Sequence, residues 1–376
     1  MTTNEKWGVA AASRRGVSHI RSETPCQDAF GTWCASFAGN PCQILAVSDG
    51  HGADEYHHSH FGSFLAIRSA YEEFVEFFQW YSLLKTAPSE IEGLQPSGLE
   101  RDFKTGFARR VIRRWRENVK AFQRDVLKVD VSGDDSSEHQ YKAFGCTLLA
   151  ALVTRERAFF FQLGDGGIFI RKDDGEICPL VEDDDEPGEA TDSLASRDPE
   201  KTAFTSSISL KDVSAVMLAT DGLTKSFTRG HDEIVSKGIH QTIGWLVNRV
   251  IAEKLDVEGP VFEKFLDNCS LGGTGDDVTV AIAFSREKLN CGSPPHLSNV
   301  ERGRSEANLT DPKRAVSEPQ EHATKDSLEE SSSDGQPIAK VVVTGNVAIG
   351  NSAPQNTPPD TVVESSNAST DAGDVF

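Results

Sequence analysis

The amino-acid sequence predicts an α+β domain in which helices cover β-sheets, followed by a tail with no core of its own. Short β-branched or aromatic runs bounded by Gly, Asp or Asn gather at both ends of residues 1–290. Two long amphipathic helical patterns lie between them. All five tryptophans precede residue 246, whereas the last 76 residues hold a single aromatic, Phe376.

The strand signals, in order, are Trp7–Ala12, Asp28–Cys34, Gln43–Ser48, Thr147–Val153, Ala158–Leu163, Gly167–Arg171, Ser214–Ala219 and Val278–Phe284. Several are continuously apolar, which predicts strands covered on both faces. Tyr71, Phe74, Val75, Phe78 and Tyr81 recur at helical spacing, as do Phe103, Phe107, Val111, Trp115, Val119, Phe122 and Val126. The segment Pro88–Gly98 reads as the turn between these two helices, and a third helical region runs over about Ile234–Phe265. Strands, a helix pair, strands again, then a helix and a last strand predict layered packing.

The chain carries 38 Lys+Arg against 58 Asp+Glu, a formal charge of -20. Such an excess disfavours nucleic acid and anionic lipid, and favours cations, metals and basic protein segments. The start MTTNEKWG lacks the apolar core of a signal peptide, and no run approaches the ~18 apolar residues of a membrane helix. Seven cysteines, odd in number and never spaced C-x-x-C, argue against a disulfide framework and a zinc knuckle. The expectation is a cytoplasmic protein with no membrane partner.

Residues 291–376 read as a disordered acidic tail, because so few large apolar groups cannot offset the entropy of ordering. From Glu301 onward it holds thirteen acidic and six basic residues, a net of -7. Its valine-rich run Ile338–Ile349 is either a strand or docking peptide, or an apolar patch in a disordered tail. Arg101–Lys128 runs the other way, with ten basic and three acidic residues. This is either a solvated face or a dock for an acidic segment such as the tail or Glu182–Glu186. Residues 182–210, rich in acid, Ser and Thr, read as either a substrate-selecting loop or a mere surface loop, and His57, His58 and His60 as a solvated helix face.

The chemistry is expected at aspartates where strands stop or start. Asp28 opens one strand; Asp49 closes the next in Ser-Asp-Gly-His-Gly; Asp221 closes another in Ala-Thr-Asp-Gly; Asp276–Asp277 precede Val-Thr-Val; and Asp165 lies in Gly-Asp-Gly-Gly. A short side chain on a fixed strand end is held rigidly, and several such ends would bring several carboxylates together. Hard divalent cations relieve their mutual repulsion, so the set implies Mg2+ or Mn2+, more than one ion. No His/Cys set has zinc spacing, and no phosphate-cradling glycine loop follows a strand.

In order, the pieces Gly16-Val-Ser-His-Ile20, Pro25-Cys-Gln-Asp-Ala29, Asp49-Gly-His-Gly52, Gly145-Cys-Thr147, Gly164-Asp-Gly166, Ala219-Thr-Asp-Gly222 and Gly275-Asp-Asp-Val-Thr-Val280 resemble the metal-dependent (type 2C) serine/threonine protein phosphatases in their bacterial form. The resemblance spans about residues 7–285 and implies a four-layer α-β-β-α sandwich, two antiparallel sheets flanked by helix pairs, with a two-metal site at one edge of the sandwich. By motif position, Asp49 bridges both ions, the Gly50 carbonyl binds one, and Asp221 and Asp276 hold the other. Asp28 orients metal-bound water, and Asp165 with Asp221 supports a weaker third ion. His51 is the best-placed general acid for the leaving serine or threonine oxygen. The activity implied is hydrolysis of phosphoserine and phosphothreonine on proteins, opposing a serine/threonine kinase. The alternatives are a catalytically weak phosphatase fold that binds phosphorylated partners, and a phosphatase of small molecules.

Three positions depart from the family pattern. Gln27 stands where many members carry Glu, and Asp277 stands where Asn is common, which leaves open whether Asp276 or Asp277 coordinates. Glu23 occupies the usual place of the phosphate-holding arginine. Arg21 is then the candidate, ahead of Arg14 or Arg15.

Overall fold

The apolar runs form two antiparallel sheets whose covered faces explain their composition. The computed structural model describes residues 7–86, 96–129, 138–181, 192–227, 244, 259–290 and 344–349. The strands are β1 (Trp7–Arg14), β2 (Ala29–Phe37), β3 (Asn40–Ser48), β4 (Leu148–Val153), β5 (Arg157–Leu163), β6 (Gly167–Lys172), β7 (Ile177–Pro179), β8 (Phe204–Ser209), β9 (Val213–Ala219), β10 (Val278–Ser285) and β11 (Thr344–Ile349). One sheet has the order β1-β10-β9-β6-β7 and the other β11-β2-β3-β4-β5-β8.

The helices are α1 (Val17–Ser22), α2 (Ser59–Thr86), α3 (Pro96–Asp125), α4 (Glu138–Lys142), α5 (Asp221–Thr224), α6 (Gly259–Gly272) and α7 (Arg286–Asn290). Alternation along the strands sorts side chains into separate layers. Ile44 and Ala46 of β3, with Phe159 and Phe161 of β5, pack under α2 and α3 against Phe74, Phe107 and Trp115. Leu45, Val47 and Phe160 point the other way and meet Ile168, Val216, Leu218 and Ala281 of the opposite sheet. The outer face of that sheet, with Met217, Val280 and Ile282, is covered by Phe262 and Leu266 of α6. The layers are therefore α-β-β-α, as expected.

The helix pair is held by charge as well as by apolar packing. Arg114 donates to Glu73 at 2.5 Å and to Glu76 at 3.1 Å, and Arg110 lies 3.5 Å from Glu73 and 2.9 Å from Asp102. Arg116 reaches the Ser196 carbonyl at 2.9 Å and stacks on Tyr141. Part of the basic excess of α3 thus faces acids of α2 within the domain. The helix also ends sooner than its apolar pattern suggests: Val126 follows the last turn and is 59% exposed.

Three short strands escape the apolar pattern. β7 has three residues, β8 is the polar edge Phe-Thr-Ser-Ser-Ile-Ser, and β11 comes from the valine-rich run of the tail. β11 pairs with β2 from Thr344 opposite Cys34 to Ile349 opposite Ala29. Of the loop expected over 182–210, residues 204–209 are strand β8, Leu194 and Ala195 join the core under the helix pair, and 182–191 lie outside the described residues. So do most of the third helical region, whose described part is α6, and the tail on either side of β11. No helix among the described residues is long and apolar enough to cross a membrane.

Candidate active site

Sheet register brings the motif aspartates to one edge of the sandwich. Ala29 pairs with Ser48, so Asp28 and Asp49 leave the same end of one sheet. Ala219 pairs with both Gly167 and Val280, so Asp165, Asp221 and Asp276 leave a common end of the other.

Asp28 is fully buried; its Oδ2 accepts the Thr220 hydroxyl at 2.8 Å, and its Oδ1 has no protein donor. Thr220 is itself fixed by the Thr279 amide at 3.0 Å. Burial, and then the charge of Asp277, pushes the Asp28 carboxyl well above the ordinary carboxylate range. Asp49 is anchored by Thr147, which accepts its amide at 3.0 Å and donates to its carbonyl at 2.8 Å. Burial and the charges of Asp28 and Asp221 raise its carboxyl too. Burial would raise Asp221, but its hydrogen bonds with Asp49 and Lys225 hold it below the ordinary value. The Oδ2 of Asp221 meets the Lys225 ammonium, while its Oδ1 is buried without a partner. Gly222 lets the Asp277 backbone come close to α5, since a Cβ there would lie 1.8 Å from the Asp277 carbonyl oxygen.

The adjacent acids Asp276 and Asp277 have separate tasks. Asp277 is 2% exposed, and its oxygens accept the Gly16 and Gln27 amides, each at 2.6 Å. Asp276 has a side chain 44% exposed, and burial with the charge of Asp221 raises its pKa. Asp276 thus faces the carboxylate ring, and Asp277 ties the backbone behind it. His19, which the sequence reading gave no role, bridges the two. Its Nδ1 lies 2.9 Å from Asp277 in an ion pair without hydrogen-bond geometry, and its Nε2 lies 3.7 Å from Asp276. Its interaction with Asp277 raises the imidazole pKa. These three residues alone, among those described, form a His/Cys/Asp/Glu group tight enough for a metal as it stands. Because Asp277 already holds two amides, the trio reads better as an ion-pair knot.

Around the ring, the Gly50 amide donates to the Gln27 carbonyl at 3.2 Å. Gln27 Nε2 donates to the His51 carbonyl at 3.0 Å and to Ser59 at 2.6 Å, and its buried Oε1 has no protein donor. The neutral amide at this position is therefore a clamp on the His51 loop. His51 packs edge-on to Tyr56, and burial lowers its pKa against the pull of Asp165 and Asp221. Lys225 Nζ lies 2.6 Å from Asp165 and 2.5 Å from Asp221.

Of the arginines, Arg14 is taken by Asp267 at 2.7 Å and Glu263 at 3.1 Å. Arg15 donates to the His19 carbonyl, and Arg21 is exposed at the end of α1. The expected solvated histidine face is only partly so: His57 is exposed, whereas His58 packs on Phe61 and Phe144, and His60 packs on Phe61.

The ring suits hard divalent cations. Its donors are carboxylate oxygens, two of them buried with no hydrogen-bond donor, and neighbouring acids help to raise the carboxyls of Asp28, Asp49 and Asp276. Asp49, Asp221 and Asp276 are the residues that could hold such ions, with Asp28 beside them.

This fold and this ring define a metal-binding protein serine/threonine phosphatase, a class that acts on phosphoproteins. The chain belongs to the protein phosphatase 2C family, whose family model matches residues 15–255. That family is metal-dependent. Among solved structures the chain is similar to the catalytic domain of the serine/threonine protein phosphatase PstP in complex with two manganese ions, at 19% identity over 74% of this chain and 97% of that one, with a TM-score of 0.39. It is similar to Mycobacterium tuberculosis PstP/Ppp at 16% identity, 74% and 98% coverage and a TM-score of 0.40. Staphylococcus aureus Stp1 gives 16% identity, 76% and 97% coverage and a TM-score of 0.43. No curated protein matches the chain.

Proposed function

We propose that the ring binds two Mg2+ or Mn2+ ions and that the enzyme hydrolyses phosphoserine and phosphothreonine on proteins, opposing a serine/threonine kinase in cytoplasmic signalling. The observation that carries the metal reading is the pair of buried oxygens without a donor, Asp28 Oδ1 and Asp221 Oδ1, within a cluster of acids whose charges raise the carboxyls of Asp28 and Asp49. Asp49 with the Gly50 carbonyl, Asp221 and Asp276 would hold the ions. When bound, the ions acidify the attacking water and neutralise charge gathering on the phosphoryl oxygens.

The chain's own groups do the rest. Asp28, fixed by Thr220, accepts a hydrogen bond from the attacking water through its unpartnered oxygen. His51 donates a proton to the departing serine or threonine oxygen. Because its pKa is lowered, it does so from a minority protonated form, and this contribution fades as pH rises. Arg21, exposed at the end of α1, is the arginine we assign to substrate phosphate, since Arg14 is occupied by two acids and Arg15 donates to the His19 carbonyl. Six free cysteines among the described residues suit a reducing compartment.

The test is hydrolysis of a phosphothreonine peptide and of p-nitrophenyl phosphate with Mn2+. Activity is expected to vanish in EDTA and in Asp49→Asn with Asp221→Asn. Activity that survives either treatment overturns the reading, and a panel that finds faster turnover of small phosphates than of any phosphoprotein overturns the substrate class.

A further inference from the structure

Lys225 places a positive charge at the edge of the carboxylate ring. It follows Asp221 by four residues, just beyond α5, so one helical turn sets its side chain over the Asp221 carboxylate. Its Nζ is within hydrogen-bond distance of both Asp165 Oδ2, at 2.6 Å, and Asp221 Oδ2, at 2.5 Å. An ammonium that contacts both acids fills the space a cation bridging them would need. The two oxygens of Asp221 are thereby divided: Oδ2 belongs to lysine, and Oδ1, buried and without a donor, is left for other ligands.

We propose that Lys225 is a built-in substitute for the third, weaker metal ion, holding the Asp165–Asp221 pair itself and limiting the site to two divalent cations. The proposal rests on the two-metal reading above and concerns only the third position. An ion at that position fills and empties with the free metal concentration, whereas a tethered ammonium is present in every molecule. Lys225 acts through the two aspartates it orients, which makes it a positioning residue. Its charge aims Asp221 Oδ1 at the ring and ties the Asp165 loop to the end of α5.

The experiment is calorimetric Mn2+ titration of the full chain, stripped of metal, together with electron paramagnetic resonance counting of bound Mn2+. The wild type is expected to take up two ions, Lys225→Ala three, with the added ion weakest, and Lys225→Arg two. Adding Asp165→Asn to Lys225→Ala should return the count to two. Lys225→Met, of similar length, serves if the alanine variant does not fold by circular dichroism, and it should also take up three. A wild type that binds three ions, or folded Lys225→Ala and Lys225→Met proteins that stay at two, overturns the proposal. A wild type that binds fewer than two overturns the two-metal reading itself, a result distinct from either of these.

Discussion

The Thr220 hydroxyl donates to Asp28 Oδ2 at 2.8 Å and leaves Oδ1 as the only oxygen of that buried carboxylate with no protein donor. Thr220 therefore decides which oxygen of Asp28 faces the ring. Thr220→Val keeps the shape and removes the donor. Loss of an outer partner of this kind typically changes metal affinity or activity by about 10–100-fold. A loss of Mn2+-supported turnover in that range, with the fold intact, is expected; unchanged turnover would refute the orienting role.

The neighbours Asp276 and Asp277 should fail in different ways. Asp277→Asn puts an amide NH2 against one of two backbone donors, Gly16 and Gln27, now 2.6 Å away. Hydrogen bonds to charged groups contribute about 1.5–3 kcal/mol each, so a stability loss of about 2–3 kcal/mol is expected in denaturant unfolding. Asp276→Asn should leave metal-free stability nearly unchanged or slightly raised, because it relieves repulsion from Asp221, and should weaken Mn2+ binding instead. The reverse pattern would transfer the ligand role to Asp277.

The pH dependence of the metal-free protein follows from the raised carboxyl of Asp28. A carboxyl whose folded pKa lies above its ordinary value of 3.8 favours the folded state when protonated. That contribution is complete below the unfolded pKa and is lost as pH rises through the folded one. Asp28→Asn has no such loss. In EDTA, the variant's melting temperature should exceed that of the wild type most at pH 7–8, and the gap should close toward pH 4. Saturating Mn2+ at pH 7 should reverse the order. A gap independent of pH would show that Asp28 is ionised freely in the fold.

On the basic helix α3, the inward arginines matter more than the outward ones. Glu73 of α2 is 2% exposed and draws its nearest cation from Arg114. Removing one partner of a buried pair costs about 3–5 kcal/mol, somewhat less here because Arg110 remains at 3.5 Å. Arg114→Ala is expected to lower stability by about 3 kcal/mol, whereas Arg101→Ala, at an exposed position, should change it by no more than about 0.5 kcal/mol. Equal effects in thermal melts would put the pair outside the forces that hold α2 to α3.

The acids of the ring could be found in the sequence because each stands where an apolar run starts or stops, and continuously apolar strands such as β3 announce a sheet covered on both faces. The first half of α2 was not legible. Its buried face sets only Leu65 and Ile67 among Gly62, Ser63, Ala66, Ser69 and Ala70, small residues that break up the apolar stripe. Their size is a packing requirement: a Cβ at Gly62 would meet the Phe144 carbonyl oxygen at 1.8 Å. β8 was hidden for a related reason, as a half-exposed edge needs few apolar residues. Within the site, the tasks of His19, Asp277 and Lys225 depend on contacts across the fold or on one turn of helix, and no local spacing encodes them.

The pairing of β1 with β10 joins Trp7 to Ser285 and Arg14 to Val278, so the first strand of the domain has the last as its neighbour. A ribosome releases the chain N-terminus first, at about 5–20 residues per second. β1 must therefore wait on the order of tens of seconds for its partner. The Gly16 amide likewise has no Asp277 to receive it until nearly the whole domain has emerged. The carboxylate ring is thus assembled only after Asp276 has emerged, and a nascent chain arrested before that residue lacks both the β10 partner of β1 and one acid of the ring.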